Sequence, residues 1–265
     1  MSGSFTEEDN IVRLAGVIRQ KNGLSTTYKP SQMAQAILDL NTESTGEVDP
    51  VSIEILENTI TSLDDSVNRK IRSIGTYALY GCNNLTSINL PLTTSIGAYA
   101  FYGCTALSTL HIPAVTSVGD YAFYGCTGIT SLGDGIRIGS VASNAFNGCT
   151  NLTEYKSTSG GTLNTNSFKD CSSLVSVDVG GYCNFYDCFR GCTSLESITI
   201  RFTGYVCVWQ SPTSIRTQLA DTKILTTGHV YVPENLIDIY KTADGWSLIQ
   251  DRIEVIPSSV VEGGE

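Results

Sequence analysis

The chain has 265 residues, of which 41% are hydrophobic and only 16% charged, with a formal net charge of −10 and a pI near 4.6. That much apolar material can fill a core, which excludes a disordered chain, and an acidic balance with no Lys/Arg run longer than two argues against nucleic acid as a partner. No stretch of 18 apolar residues occurs and Met1-Ser2-Gly3-Ser4-Phe5 lacks the basic-then-apolar order of a signal peptide, so neither a membrane span nor export by the ordinary secretory route is expected.

Residues 5–40 read as a helical hairpin. Thr6 caps a first helix whose opening turn carries Glu7, Glu8 and Asp9 at the positive end of the dipole, and Ile11, Leu14, Ala15 and Ile18 follow at helical spacing. Asn22-Gly23 ends it, and Pro30-Ser31 opens a second helix with Met33, Ala34, Ile37 and Leu40 on one side. The polar Gly- and Pro-containing residues 41–50 are a linker. Hairpin and linker together occupy residues 1–45, and residues 46–72 are expected to form an N-terminal capping strand over the first edge of the domain that follows.

That domain, residues 73–202, repeats itself. Ile74-Gly75-Thr76-Tyr77-Ala78-Leu79-Tyr80-Gly81-Cys82 returns at Ile96–Cys104 and again at Val118–Cys126. Cysteines at 82, 104, 126, 149, 171 and 192 are spaced by 22, 22, 23, 22 and 21 residues. A period this short means stacked coils, because one coil cannot bury its own apolar face. Three residues before each Cys stands Leu79, Phe101, Phe123, Phe146, Phe168 or Phe189, carried on a short helical piece and forming a continuous spine. After each Cys a strand is expected: residues 85–90, 107–112, 129–134, 152–157, 174–179 and 195–200, stacked into one parallel sheet. One Cys per coil at a constant position reads as a buried ladder of thiols; Cys183, Cys188 and Cys207 fall outside it, and with no CxxC pair a zinc site is not expected.

Tyr99-Ala100-Phe101-Tyr102-Gly103-Cys104-Thr105-Ala106-Leu107-Ser108-Thr109-Leu110-His111-Ile112-Pro113 resembles the BspA-like class of leucine-rich repeats, also found in Treponema surface proteins. The resemblance covers about residues 71–202 and implies an α/β repeat solenoid: a leucine-rich-repeat stack of about six 22-residue coils, with strands on one face and short helical turns on the other. Gly181-Tyr182-Cys183-Asn184 and Asp170-Cys171 depart from the repeat, so regular stacking is expected to weaken in the later coils. Residues 18–23 and 28–37 are similar to a short helical module at the head of tail-associated proteins of phages and prophages of Gram-positive bacteria. That similarity implies attachment to a larger assembly through residues 5–40. Residues 203–257 resemble the C-terminal closing unit of such repeat proteins, a strand-helix-strand cap bringing Trp246 over the last coil, and residues 258–265 are a flexible tail.

The sequence offers little catalytic chemistry. Its two histidines, His111 and His229, show no metal-ligand spacing, there is no G-x-S-x-G elbow, and Gly133–Gly139 is one residue too long for a dinucleotide fingerprint. No catalytic residue, metal or cofactor is expected. The binding surface is expected on the outward strand positions, above all Asn89, Thr109, His111, Glu154, Lys156, Asp178, Thr199 and Arg201, because solenoid faces commonly receive partners. The Tyr columns 77/99/121 and 80/102/124 are a second candidate, either as stacking platforms or as packing between coils. The expectation is a non-enzymatic binding or adhesion protein contacting a protein or glycan on a cell surface, in a phage or prophage tail or a bacterial surface assembly. The alternative is an intracellular scaffold without a dedicated ligand.

Overall fold

The computed structural model describes residues 62–64, 71–133, 138–157, 160–185, 187–209 and 215–257. The expected hairpin over 5–40, the linker, most of the capping segment and the tail lie outside the described residues. Of the capping segment, Ser62–Asp64 (β1) is described, and it runs parallel to Ser87–Asn89 in the register Ser62↔Ser87, Leu63↔Ile88, Asp64↔Asn89.

Every coil but the third makes two strands rather than one, so the single parallel sheet expected from sequence is replaced by sheets on two sides of the solenoid. The strands after the cysteines are Ser87–Asn89 (β3), Thr109–His111 (β5), Glu154–Ser157 (β8), Ser176–Val179 (β10) and Ser197–Ile200 (β12). The strands on the other side, most of them just before the repeated turn, are Ser73–Ile74 (β2), Ser95–Ile96 (β4), Ser117–Val118 (β6), Ser140–Val141 (β7), Gly161–Leu163 (β9), Cys183–Phe185 (β11) and Val208–Trp209 (β13), and these seven form a parallel sheet. Their length, two or three residues, is too short for an alternation to be visible in the sequence. The post-cysteine strands divide into a sheet β1-β3-β5 and a second sheet, β8-β10-β12, continued by His229–Val232 (β14) and Ile253–Val255 (β15).

The division falls at coil three, where the described part of the expected strand 129–134, residues 129–133, forms no strand. Gly133 adopts φ +84°, and its N–H is taken by the Ser131 hydroxyl at 3.1 Å, so the backbone bends away from the ladder. Coil four still docks on coil three, since both the N–H and the hydroxyl of Thr153 donate to the Thr130 carbonyl.

The expected helical pieces are stacked turns, not helices, for a reason visible in the hydrogen bonds. Within coil one, Ala78 N–H bonds Gly75 O and Tyr80 N–H bonds Tyr77 O, while the intervening N–H groups of Tyr77, Leu79 and Gly81 donate to Ala98, Ala100 and Tyr102 of the next coil at 2.7–2.8 Å. Alternate donors thus leave the coil, so an i→i−4 ladder cannot propagate. The geometry requires positive φ five residues before each spine cysteine, where Tyr77, Tyr99, Tyr121, Asn144, Asn166 and Asp187 all lie at +45° to +63°. It also requires positive φ just before the cysteine, where Asp170 at +58° replaces the glycine of the other coils. Coil five therefore keeps the turn despite its departure from the repeat.

The core is one continuous cluster along the stack. Phe101, Phe123, Phe146 and Phe168 are fully buried and stack with ring centroids 5.1–5.3 Å apart and planes within 9°; Phe189 continues the column at 6.1 Å. The C-terminal unit consists of the short helix Ile215–Gln218 (α1), β14, the helix Ile237–Thr242 (α2), a 3₁₀ segment Trp246–Arg252 and β15. Its β14 pairs with β12 as though it were one more repeat strand. Trp246 closes the spine, edge-on to Phe185 and Tyr240.

Candidate functional site

The outward residues of the strands stand in rows fixed by register. In the first sheet Thr109 pairs with Ser87, and His111 with Asn89; Thr109 and His111 are exposed and Asn89 is half-buried. In the second sheet one row runs Glu154, Ser176, Ser197, His229 and the next runs Lys156, Asp178, Thr199, Tyr231, Glu254. Glu154 and Lys156 are exposed.

Two of the expected contact residues bind each other. Arg201 Nε donates to Asp178 Oδ1 at 2.8 Å and Nη2 donates to Oδ2 at 2.8 Å, a bidentate fork with both side chains partly buried. The bond to Asp178 holds the Arg201 guanidinium above its ordinary pKa. Thr199, expected to face outward, is only 8% exposed. It sits in its row between Asp178, tied down by that fork, and Tyr231 of β14, a strand that the sequence places in the cap rather than beside β12. Thr199 is therefore a buried row member rather than the outward-exposed residue expected. At the far edge, His229 Nδ1 lies 2.9 Å from Glu254 Oε1, with its ring near that of Tyr231.

On the turn side the six tyrosines form a double ladder. Tyr77–Tyr99–Tyr121 stack at 4.6 and 4.9 Å, Tyr80–Tyr102–Tyr124 both at 4.8 Å, with planes within 10°. All six are half-buried. The ring faces between neighbours are already covered, so the inner rings offer edges and hydroxyls rather than a stacking platform. Burial, and then the neighbouring phenols, push the Tyr99 and Tyr102 hydroxyls up. Beyond coil three the same two positions read Asn144/Asn147, Asn166/Lys169 and Asp187/Arg190, and the last coils border a polar cleft of about 500 Å³ lined by Asn166, Asp187, Arg190, Ala220 and Asp221.

The cysteines do structural work. All nine are buried, and each spine thiol from the second coil onward donates to a carbonyl one coil back: Cys104 to Leu79, Cys126 to Phe101, Cys149 to Phe123, Cys171 to Phe146 and Cys192 to Phe168, at 3.0–3.2 Å. Burial pushes the thiols of Cys126 and Cys192 up to about 12 and raises Cys104, Cys149 and Cys171 as well. Sulfur held neutral in this way is a poor nucleophile. Among the described residues no group of three His, Cys, Asp or Glu side chains is placed to hold a metal ion, and no helix is long and apolar enough to cross a membrane.

Residues 72–195 match a family model described as BspA type leucine rich repeat region, in six copies. Over those residues the chain is similar to BspA-type leucine-rich repeats. Among solved structures, a leucine-rich-repeat protein of T. pallidum is 25% identical over 51% of this chain and 63% of its own, with a TM-score of 0.41. The chain therefore spans less than two thirds of that protein's length. A leucine-rich-repeat protein from Bacteroides ovatus is 17% identical over 74% of this chain and 66% of its own, with a TM-score of 0.33. A leucine-rich cell surface protein from Faecalibacterium prausnitzii is 14% identical over 77% and 75%, with a TM-score of 0.27. A comparison with curated proteins finds no match.

Beyond the rows foreseen from sequence, the structure brings together two groups that the BspA-type repeat does not advertise. One is the Asp178–Arg201 fork, formed between coils 23 residues apart. The other is an aromatic corner of Tyr182, Phe202 and Tyr205, whose one sequence signal is that Phe202-Thr203-Gly204-Tyr205 follows strand β12 where Pro91 and Pro113 follow the strands of the first two coils.

Proposed function

We propose that this is a non-enzymatic binding and adhesion protein that works through the outer face of the post-cysteine strands. The observation that carries this reading is the pair Glu154 and Lys156. These opposite charges are both exposed, sit two residues apart on β8, and are held on a rigid parallel sheet beside the Asp178–Arg201 fork. Charges presented on a fixed lattice orient a partner and set its register, at little ordering cost to the protein. His111 and Thr109 extend the exposed face over the first sheet. Buried thiols with raised pKa values argue against cysteine-based catalysis. The partner is a protein or glycan on a cell surface. Residues 5–40, by their similarity to tail-associated modules, would attach the repeats to a phage or prophage tail or to a bacterial surface assembly.

The test is binding of the fluorescently labelled full chain to intact cells and to arrayed glycans, compared with a Glu154→Lys/Lys156→Glu double variant. Both sites are exposed, so the variant is expected to melt within a few degrees of the parent while its binding falls about tenfold. Undiminished binding by the charge-swapped chain removes the strand face from consideration. Absence of binding to cells and glycans removes the adhesion reading and leaves the scaffold.

A further inference from the structure

Tyrosine occupies two positions of the turn in each of the first three coils, and the turn itself does not call for it. Tyr77, Tyr99 and Tyr121 hold φ of +63°, +57° and +56°, a region costly for a bulky side chain, whereas coils four and five keep the same turn with Asn144 and Asn166. The second position, Tyr80, Tyr102 and Tyr124, becomes Asn147 and Lys169 in those coils. What the six rings share is contact with one another. Along each column neighbouring rings lie 4.6–4.9 Å apart with planes within 10°. Across the columns Tyr77–Tyr80, Tyr99–Tyr102 and Tyr121–Tyr124 lie 5.7–5.9 Å apart, tilted by 33–46°. The inner spine stacks in the same way with fully buried phenylalanine; here every ring is half-buried and carries a hydroxyl.

Phenols held in contact and partly open to solvent are arranged for one-electron oxidation and coupling. We propose that the tyrosine ladder is an oxidative cross-linking site that staples coils one, two and three to one another, with hydrogen peroxide, used by a haem peroxidase, as the oxidant. Two neighbouring rings each lose the hydroxyl hydrogen, as one electron and one proton, and become phenoxyl radicals. The radicals join through the ring carbons beside their oxygens in a new C–C bond. The hydrogen on each of those carbons then moves to the oxygen, which restores both hydroxyls. In all, two hydrogens leave the pair and reduce one peroxide to two waters. The nearest pair is Tyr77–Tyr99, at 4.6 Å. A single bond between two rings brings their centres only slightly closer than that, so the coils stay in place while the rings roll out of their stack about the Cβ–Cγ torsion, which is broad in tyrosine. Competing groups are shielded, since all nine thiols and the side chains of Tyr155, Tyr240 and Trp246 are buried. A Tyr77–Tyr99 bond closes a 22-residue loop and thereby restricts the unfolded chain, whereas a bond within one coil, such as Tyr99–Tyr102, ties nothing to its neighbour. The staple lies on the turn side and is independent of the binding face.

The experiment treats the full chain with hydrogen peroxide and a haem peroxidase, isolates the monomer and digests it with trypsin. No Lys or Arg lies between Arg72 and Arg137, so residues 73–137 form one peptide that holds the six ladder tyrosines and no others. That peptide is expected to lose two hydrogens and to show dityrosine fluorescence, and the treated monomer is expected to melt several degrees above the untreated one. Tyr99→Phe/Tyr102→Phe keeps every ring of the stack and removes the phenols of coil two, so no two neighbouring coils both carry one. Its dityrosine yield is expected to fall to that of the parent unfolded in urea. Tyr182→Phe/Tyr205→Phe, which alters the other close pair of surface tyrosines, is expected to leave the ladder peptide's loss of two hydrogens unchanged. The proposal is overturned if peptide 73–137 of the treated monomer keeps its mass, if the urea-unfolded parent couples as well as the folded one, or if Tyr99→Phe/Tyr102→Phe couples as the parent does.

Discussion

The thiol of Cys126 donates to the carbonyl of Phe101, 3.0 Å away in the preceding coil, while the Phe101 ring stacks on Phe123. The same three-part contact of sulfur, carbonyl and ring recurs along the stack, so one unit of sequence supplies a polar tie and an apolar spine at once. A serine at the cysteine position would keep a donor but lose the polarizable bulk that fills the coil, and an alanine would lose both.

Burial of these thiols makes stability fall in alkali. The ordinary thiol value is 9.0, and burial raises Cys126 and Cys192 to about 12 in the folded chain. A raised folded pKa means that the contribution is complete below pH 9 and is lost as pH climbs toward 12, because the unfolded thiol releases its proton first. The limiting slope is about 1.4 kcal/mol per pH unit for each such thiol. Urea midpoints are expected to hold level to about pH 8.5 and then decline, and Cys126→Ala, itself destabilised, should show a shallower decline. Equal slopes in parent and variant would show that the thiol is not the titrating group.

Position 99 separates backbone strain from stacking. Tyr99 sits at φ +57° and stacks on both Tyr77 and Tyr121. Alanine loses two ring contacts and still has to hold left-handed backbone, at a cost of roughly 2–3 kcal/mol. Asparagine loses the rings but suits the backbone, as Asn144 and Asn166 do at the equivalent position. Chemical denaturation should rank the parent above Tyr99→Asn, and Tyr99→Asn above Tyr99→Ala. An Ala variant as stable as the Asn variant would remove the backbone contribution.

Asp170 is the one non-glycine at its turn position and carries φ +58°, with only an exposed 3.8 Å contact to Lys169 in return. Asp170→Gly should therefore stabilise the chain by roughly 0.5 kcal/mol, as relief of left-handed strain outweighs the extra chain entropy of glycine. A melting curve checks the sign; a lower midpoint would mean that the carboxylate contributes more than its geometry suggests.

The spine and the ladder of cysteines were legible in the sequence because each repeats at one fixed position and each is an apolar or small residue that only stacking can bury. The second sheet was not, since pairs such as Ser73–Ile74 and Ser95–Ile96 are too short to carry a period. Coil three lost its strand to a local contest that no periodicity records, the Ser131 hydroxyl against the ladder for the Gly133 N–H. At the candidate face, alternation placed Glu154, Lys156, Thr109 and His111 correctly outside. It misplaced Thr199 because burial there depends on β14, which arrives from about thirty residues downstream. The Asp178–Arg201 fork was equally hidden, being a contact between coils rather than a pattern within one.

Trp246 tests how far disturbance travels along the stack. Its indole N–H donates to the Cys207 carbonyl at 2.7 Å, the Cys207 N–H donates to the Tyr240 hydroxyl at 2.9 Å, and the Trp246 ring is edge-on to both Phe185 and Tyr240. Removing the indole opens a cavity and breaks a buried hydrogen bond, so Trp246→Ala should cost about 3–5 kcal/mol. Trp246→Phe, which keeps most of the packing, should cost less. In a solenoid each coil touches only its neighbours, so the damage should be graded rather than global. Hydrogen exchange in Trp246→Ala is expected to accelerate strongly in β11, β12 and β14 and hardly at all in β4 and β6, where the Tyr ladders and the Phe101–Phe123 stack lie on the other side of several intact coils. Uniform acceleration from β4 to β14 would instead show that the coils unfold as one cooperative block and that the cap holds the whole stack.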